Sequence, residues 1–311
     1  MRAFIFPGQG SQAVGMGKAL AEASPVAREV FQEVDDALGQ HLYRLMTEGP
    51  AEELLLTENS QAAIMANAIA TLRVLEREGN VRLADKSEYV AGHSLGEYTA
   101  LCAAGALNVA TTARLLKLRG LAMQAAVPVG EGAMAALLGA DLDKARAIAE
   151  AAAGGEVCTV ANDNDPSQVV LSGAKGAIDR VIGLAKEHGA KKAVLLPVSA
   201  PFHCPLMQPA ADAMKKALAN ARIDAPLVPV FANVTAAAVG DPDTIRRLLV
   251  EQVTGMVRWR ESVLAMQDAG VEQFVEFGAK VLTGMVKRIA PDAATVSVVS
   301  MDDIEVLLKT L

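Results

Sequence analysis

The sequence has few aromatic residues, a deficit of positive charge and no long apolar run, and each shortage excludes a class of protein. Aromatic side chains make up only 4% of the 311 residues, which disfavours a surface on which nucleic-acid bases stack. The net charge of −7 disfavours nucleic acid and anionic membranes as partners. No apolar run reaches the roughly eighteen residues of a membrane span, and the N-terminal apolar run is too short for a signal peptide. We therefore expect a soluble protein of the cytoplasm.

Cysteines are also scarce. The chain has three, Cys102, Cys158 and Cys204, scattered at wide spacing. Their odd number and their spacing match neither a disulfide framework nor a zinc site. We therefore expect free thiols in a reducing compartment.

Hydrophobic residues make up 52% of the chain, enough to bury a large core. Strand and helix patterns alternate along it, which predicts an α/β fold. Within residues 128–198 the order becomes β-α-β-β-α-β, typical of a ferredoxin-like unit. We predict an α/β-hydrolase-like large domain formed by residues 1–127 and 199–311, with a ferredoxin-like small domain, residues 128–198, inserted into it.

A serine flanked by glycines stands out in Gly92-His93-Ser94-Leu95-Gly96. A predicted strand precedes this segment and a predicted helix follows it, which is the setting of a nucleophile elbow. The glycines permit a sharp turn that lifts the serine hydroxyl above the sheet. The helix N-terminus offers amide donors, so the amide of Leu95 is a predicted oxyanion donor. We predict that Ser94 is a catalytic nucleophile; the alternative is that the pattern arose by chance.

A serine nucleophile needs a base, and the chain has four histidines. His41 and His188 fall in segments that we expect at the surface. His93 is expected to pack or to hydrogen-bond behind the turn. His203 lies in "SAPFHCP", a loop that two prolines stiffen between a strand and a helix. His203 is therefore the predicted base.

The group that orients this histidine stays open. The order serine, acid, histidine found in α/β hydrolases requires an acid before His203, and Asp163 and Asp165 are candidates in a predicted turn of the small domain. A backbone carbonyl would also serve, because the imidazole N–H needs only an acceptor. Cys204 is a rival nucleophile by residue type, and we interpret it as a buried thiol.

Five ordered motifs make essentially the whole chain resemble the malonyl-CoA:acyl carrier protein transacylase family of fatty acid synthesis. They are "FPGQGSQ" from residue 6, "GHSLGEYTAL" from 92, "LRG" from 118, "PVSAPFHC" from 197, and Gln252 followed by "VRW" from 257. The resemblance implies ping-pong transfer of a malonyl group from malonyl-CoA to the phosphopantetheine thiol of an acidic acyl carrier protein. It implies a malonyl-serine intermediate and no metal or bound cofactor.

The resemblance also assigns roles at the matching positions. The backbone amide of Gln9 joins that of Leu95 in the oxyanion hole. The backbone carbonyl of Gln252 holds the imidazole of the base. Asn162 and Asn164 belong to a segment of the small domain that faces a cleft between the small and the large domain.

Two further residues are implied to select the acyl group. Arg119 is expected to clamp the free malonyl carboxylate, because a guanidinium offers two parallel donors; the alternative is a solvated charge on an amphipathic helix. Phe202, beside the base, is expected to crowd an α-methyl branch and so favour malonyl over methylmalonyl. The alternative for Phe202 is plain core packing.

Three places depart from the family pattern. Met256 replaces a common proline, Ser167 replaces a common glycine, and the turn at 276–280 is one residue shorter than usual. These departures affect loop shape and bear on carrier docking. The candidates for a basic docking patch are Lys191, Lys192, Lys287 and Arg288.

Two rival functions remain. A serine thioesterase or esterase would use water as the acceptor, and Arg119 and the absence of an obvious triad acid disfavour it. A catalytically silent scaffold would tolerate the loss of Ser94. The intact serine motif disfavours the scaffold.

Overall fold

The computed structural model describes all 311 residues. Ten strands form two sheets: β1 (Arg2–Phe6), β2 (Tyr89–Gly92), β3 (Gly132–Leu138), β4 (Cys158–Asp165), β5 (Gln168–Ala174), β6 (Lys192–Leu195), β7 (Val230–Ala232), β8 (Ala237–Val239), β9 (Gln273–Phe277) and β10 (Ala294–Val298). The larger sheet has the order β10-β9-β1-β2-β7-β8, and the smaller sheet has the order β4-β5-β3-β6.

Fifteen α-helices surround these sheets. They are α1 (Lys18–Ala23), α2 (Pro25–Leu38), α3 (Leu42–Glu48), α4 (Ala51–Leu55), α5 (Thr57–Glu78), α6 (Leu83–Lys86), α7 (Leu95–Ala103), α8 (Val109–Ala125), α9 (Leu142–Ala153), α10 (Lys175–Leu184), α11 (Gln208–Asn220), α12 (Pro242–Thr254), α13 (Trp259–Asp268), α14 (Leu282–Ile289) and α15 (Met301–Leu308). None of them combines the length and the apolar character that crossing a membrane requires.

The large sheet brings three loops to one edge. Strand β1 runs parallel to β2, with Phe6 beside Gly92, and β7 runs parallel to β2 on its other side. Parallel strands end at the same edge of a sheet, and ligands bind outside their carboxyl ends. The loops after β1, β2 and β7 therefore meet there.

The small sheet confirms the predicted ferredoxin-like unit. Its elements follow the order β3-α9-β4-β5-α10-β6, and all its strand pairs are antiparallel. It has its own apolar core of 16 buried residues, separate from the cores on the two faces of the large sheet. The predicted α/β fold class is thus confirmed, while the boundaries at 127/128 and 198/199 stay predictions.

Strand β4 attaches the small sheet to the large one. Asp163 donates its backbone N–H to the carbonyl of Val257 at 2.9 Å, and Val257 donates to the carbonyl of Ala161 at 2.8 Å. The buried Asp163 carboxylate pairs with Arg260 of α13, and that of Asp165 pairs with Arg288 of α14. These contacts fix the position of β4 relative to the large sheet.

One local expectation, the turn at Asp163 and Asp165, was wrong. The acids at 163 and 165 lie in β4 and not in a turn, because the reversal is confined to Pro166 and Ser167. Helix α8 is capped by Asn108, whose side chain accepts from the Thr111 amide.

Candidate active site

Ser94 occupies the sharp turn between β2 and α7. Its backbone has φ 56° and ψ −112°, a region that residues other than glycine rarely adopt. Such a conformation costs about 1–3 kcal/mol and persists only where the surroundings enforce it.

The two flanking glycines permit this turn, because the backbone packs too closely there to leave room for a side chain. A Cβ on Gly92 would lie 1.8 Å from the carbonyl oxygen of Gly96, and a Cβ on Gly96 would lie 2.3 Å from that of Phe6. Asn233, which follows β7, accepts from the Ser94 amide at 2.8 Å and donates to the Gly92 carbonyl at 2.7 Å. The asparagine therefore ties the serine turn to the neighbouring strand, and no sequence pattern had singled it out.

The structure brings Ser94 and His203 together. Ser94 Oγ lies 2.8 Å from His203 Nε2, and His203 Nδ1 lies 2.9 Å from the backbone carbonyl of Gln252. Because a carbonyl only accepts, Nδ1 carries the proton and Nε2 is free to accept the serine proton. Asp163 and Asp165 are paired with arginines, so the orienting group is the carbonyl.

The environment keeps the histidine neutral. Its side chain is buried and its backbone is also left-handed, with φ 56°. Burial, and then the nearby Arg119 cation, lower the pKa of His203 to about 3. At neutral pH the imidazole is therefore in the form that accepts a proton.

Arg119 of α8 is buried beside the serine, with only 1% of its surface exposed, so the solvated-charge alternative is wrong. Its Nη1 donates to Gln61 Oε1 at 2.8 Å. Its Nη2 donates to Gln252 Oε1 at 2.8 Å and to Ser94 Oγ at 3.1 Å. No carboxylate lies within ion-pair distance of this guanidinium, and Nε has no hydrogen-bond partner in the protein.

A cavity of ≈ 430 Å³ lies in front of these residues, between the two sheets. The predicted site residues that line it are Gln9, Ser94, Leu95, Arg119, Asn162, Asn164, Phe202 and His203. Gln252 lies directly behind them and contacts both Arg119 and His203. The structure thus places every predicted site residue at one cavity.

Two backbone amides at this cavity have no acceptor within the protein. Leu95 is the first residue of α7, so its N–H has no partner in the preceding turn. Gln9 follows β1, and no hydrogen bond from its amide is formed either. Both amides are therefore free to donate to a ligand oxygen.

The remaining histidines and the nearby cysteine have other surroundings. His41 and His188 are exposed. His93 lines the cavity and does not point away from it: its Nε2 lies 2.8 Å from Asn164 Oδ1. Cys204 is buried, its thiol donates to the Pro201 carbonyl, and burial raises its pKa, so it stays a thiol at neutral pH.

The positions that depart from the family pattern form no hydrogen bond with Ser94, His203 or Arg119. Met256 is partly buried, after the end of α12. Ser167 turns the chain between β4 and β5, with its amide and hydroxyl on Asp165. In the shortened turn, the Glu276 carboxylate accepts the backbone amides of residues 281, 282 and 283 at the start of α14.

The strained serine backbone predicts an unusual order of stabilities. Ser94→Gly and Ser94→Ala both remove Oγ, but only glycine relieves the left-handed backbone. We expect Ser94→Gly to be more stable than Ser94→Ala by about 1 kcal/mol in urea unfolding. At Glu150, an exposed position in helix α9, alanine is the better helix former, so Glu150→Ala should be more stable than Glu150→Gly. Equal stability at position 94 would contradict the strain.

The neutral buried histidine predicts a pH-dependent stability. Below about pH 6.5 the unfolded chain protonates His203, whereas the folded protein does not. The stability of the wild type relative to His203→Gln should therefore fall as the pH drops below 6.5, by up to about 1.4 kcal/mol per pH unit. Thermal or urea unfolding of both proteins from pH 8 to pH 5 measures this difference. A constant difference would contradict the burial of a neutral imidazole.

Comparison with known proteins identifies the family of this chain. The model of the acyl transferase domain matches residues 3–299. The malonyl CoA-acyl carrier protein transacylase of Escherichia coli K12 is 46% identical over 296 residues, covering 95% of this chain and 94% of the relative. That of Bacillus subtilis is 42% identical and covers 99% and 96%.

Solved structures give the same result. The acyl-carrier-protein-S-malonyltransferase of Bartonella henselae superposes with a TM-score of 0.97 at 51% identity, covering 99% of this chain and 98% of the other. A malonyl-transacylase in complex with a type II PKS acyl-carrier protein superposes with a TM-score of 0.96 at 39% identity, covering 100% and 99%. The chain therefore belongs to the malonyl CoA-acyl carrier protein transacylase family of acyl transferases.

Proposed function

We propose that this protein transfers a malonyl group from malonyl-CoA to the phosphopantetheine thiol of an acyl carrier protein, for fatty acid chain elongation. The observation that carries the proposal is the contact of one hydroxyl with two groups. Ser94 Oγ touches both the neutral imidazole of His203 and the buried guanidinium of Arg119. A nucleophile and a carboxylate receptor thus share one cavity.

The first half-reaction acylates the serine. Ser94 Oγ attacks the thioester carbonyl carbon while its proton passes to His203 Nε2. The amides of Gln9 and Leu95 donate to the oxyanion of the tetrahedral intermediate. The carbon–sulfur bond then breaks, the coenzyme A sulfur takes the proton from His203, and malonyl-Ser94 remains.

The second half-reaction reverses these roles. The carrier thiol gives its proton to His203 Nε2 and attacks the ester carbonyl of malonyl-Ser94. The ester C–O bond breaks and the proton returns to Ser94 Oγ. The two half-reactions together consume no acid or base. Neither a metal nor a bound cofactor takes part in the proposed reaction.

Arg119 supplies the selectivity for malonyl in this proposal. A guanidinium has five N–H donors, and the protein accepts from three of those of Arg119. Nη1 keeps one further N–H, which we assign to the free carboxylate of the acyl group, whereas Nε is buried without a partner. An acetyl group would leave this buried cation unpaired, which disfavours it by several kcal/mol.

Other residues of the cavity shape the acyl site. Phe202 lines it next to the base, where its ring would crowd an α-methyl branch and disfavour methylmalonyl by about 1–3 kcal/mol. Asn162 and Asn164 line the side formed by the small sheet. We assign them to contacts with the bound thioester.

The carrier and the compartment complete the proposal. Lys191, Lys192, Lys287 and Arg288 are exposed, and we propose them as a basic docking patch for the acidic carrier. Arg288 keeps 51% of its side chain exposed while it pairs with Asp165. We place the protein in the cytoplasm, where its three free thiols would stay reduced.

Labelling distinguishes the transferase from a hydrolase. With radiolabelled malonyl-CoA, we expect a label on the wild type that persists until a thiol acceptor is added. Ser94→Ala should take up no label, because it lacks the nucleophile. Rapid release of free malonate without a thiol would support a thioesterase instead, and an unlabelled wild type would support a silent scaffold.

Arg119→Ala tests the carboxylate clamp. We expect the ratio of kcat/KM for malonyl-CoA to that for acetyl-CoA to fall at least about 100-fold, equivalent to about 2.7 kcal/mol. Arg114→Ala, on the exposed side of the same helix, is the matched control and should leave the ratio unchanged. An unchanged ratio in Arg119→Ala would remove this residue from its role.

A further inference from the structure

One buried carboxylate near the site has no part in the proposed mechanism. Glu97 of α7 is 3% exposed and forms no ion pair. Its Oε2 accepts from the Asn233 backbone amide at 3.0 Å and from Gln252 Nε2 at 2.8 Å. Burying a carboxylate without an ion pair costs desolvation free energy, so a positioning role for Glu97 would explain its presence.

What Glu97 holds is the orientation of the Gln252 side-chain amide. Gln252 Nε2 also donates to the Ser94 carbonyl at 3.0 Å, while Gln252 Oε1 accepts from Arg119 Nη2 at 2.8 Å. Rotating the amide by half a turn would place an oxygen against two acceptors and an NH₂ group against the guanidinium. The contacts with Glu97 and with the Ser94 carbonyl therefore together decide which end of the amide meets Arg119.

We propose that Glu97 is a positioning residue for recognition of the malonyl carboxylate, because it fixes the Gln252 amide that in turn orients the Arg119 guanidinium. The inference rests on the proposed function. Arg119 has no direct carboxylate partner, and its two side-chain acceptors outside Ser94 are the amide oxygens of Gln61 and Gln252. Of these two, Gln252 is the one that contacts Glu97.

The hydrogen-bond pattern distinguishes this role from a purely electrostatic one. A single oxygen of Glu97 accepts both bonds, so the amide oxygen of a glutamine can replace it. Burial raises the pKa of Glu97 to about 7. Its hydrogen bonds to Gln252 and Asn233 and the nearby Arg119 cation lower the pKa, but by less than burial raises it. The carboxyl oxygen can accept in either protonation state, and position matters more than charge.

Three substitutions of Glu97 test the proposal, with the malonyl-to-acetyl ratio of kcat/KM as the readout. Glu97→Gln keeps the acceptor and should retain the wild-type ratio within about threefold. Glu97→Asp keeps the charge but withdraws the oxygens by about one C–C bond length. We expect Glu97→Asp to lower the ratio severalfold, and Glu97→Leu to lower it about tenfold.

The opposite order, with Asp close to wild type and Gln impaired, would overturn the proposal, because charge would then be the property that matters. Equal losses for both substrates in all variants would also overturn it. Glu276→Gln is the matched control for loss of a buried carboxylate that accepts backbone amides. It should lower the melting temperature without changing the ratio.

A double-mutant comparison tests whether Glu97 acts through Gln252. Gln252→Leu removes the side-chain amide and keeps the backbone carbonyl that binds His203. In that background Glu97→Asp should no longer change the ratio; a full additional loss would contradict the link. An unlabelled wild type would instead contradict the proposed function itself.

Discussion

The site depends on one hydrogen bond, between Ser94 Oγ and His203 Nε2, and much of the surrounding structure serves to hold its two ends. Both residues have left-handed backbones, which neither would adopt in a free chain. Gly92 and Gly96 permit the close backbone contacts of the serine turn, and Asn233 holds it by hydrogen bonds. The histidine is fixed by a carbonyl from α12. The hydrogen bond is thus imposed by elements that lie far apart in sequence.

The choice of a carbonyl as the orienting group is connected to the buried arginine. A carboxylate on His203 Nδ1 would stand close to the Arg119 cation and compete for it with the malonyl carboxylate that we propose as its ligand. A neutral carbonyl sets the same tautomer without that competition. The nearest carboxylate, Glu97, instead reaches the guanidinium only through the Gln252 amide. The site therefore presents a cation with unused donors, although a buried cation is costly by itself.

The sequence predicted the parts of the site whose geometry is local. The glycines around Ser94 and the prolines near His203 constrain only neighbouring backbone, so their consequences can be derived from the order of residues. Asn233 and Glu97 could not be found that way. Each matters through contacts more than 130 residues apart, and such pairings follow from the strand order of the large sheet.

The same limit explains the wrong expectation for Asp163 and Asp165. Acidic and amide residues next to a proline are typical of turns, and only pairing with Arg260 and Arg288 makes a buried strand of them. Once β4 forms, its side chains alternate between two faces. The two acids then face α13 and α14, and Asn162 and Asn164, which alternate with them along the strand, line the cavity. One strand thereby anchors the small sheet and supplies its polar groups to the cavity, so weakening the anchor would displace both asparagines from the cavity.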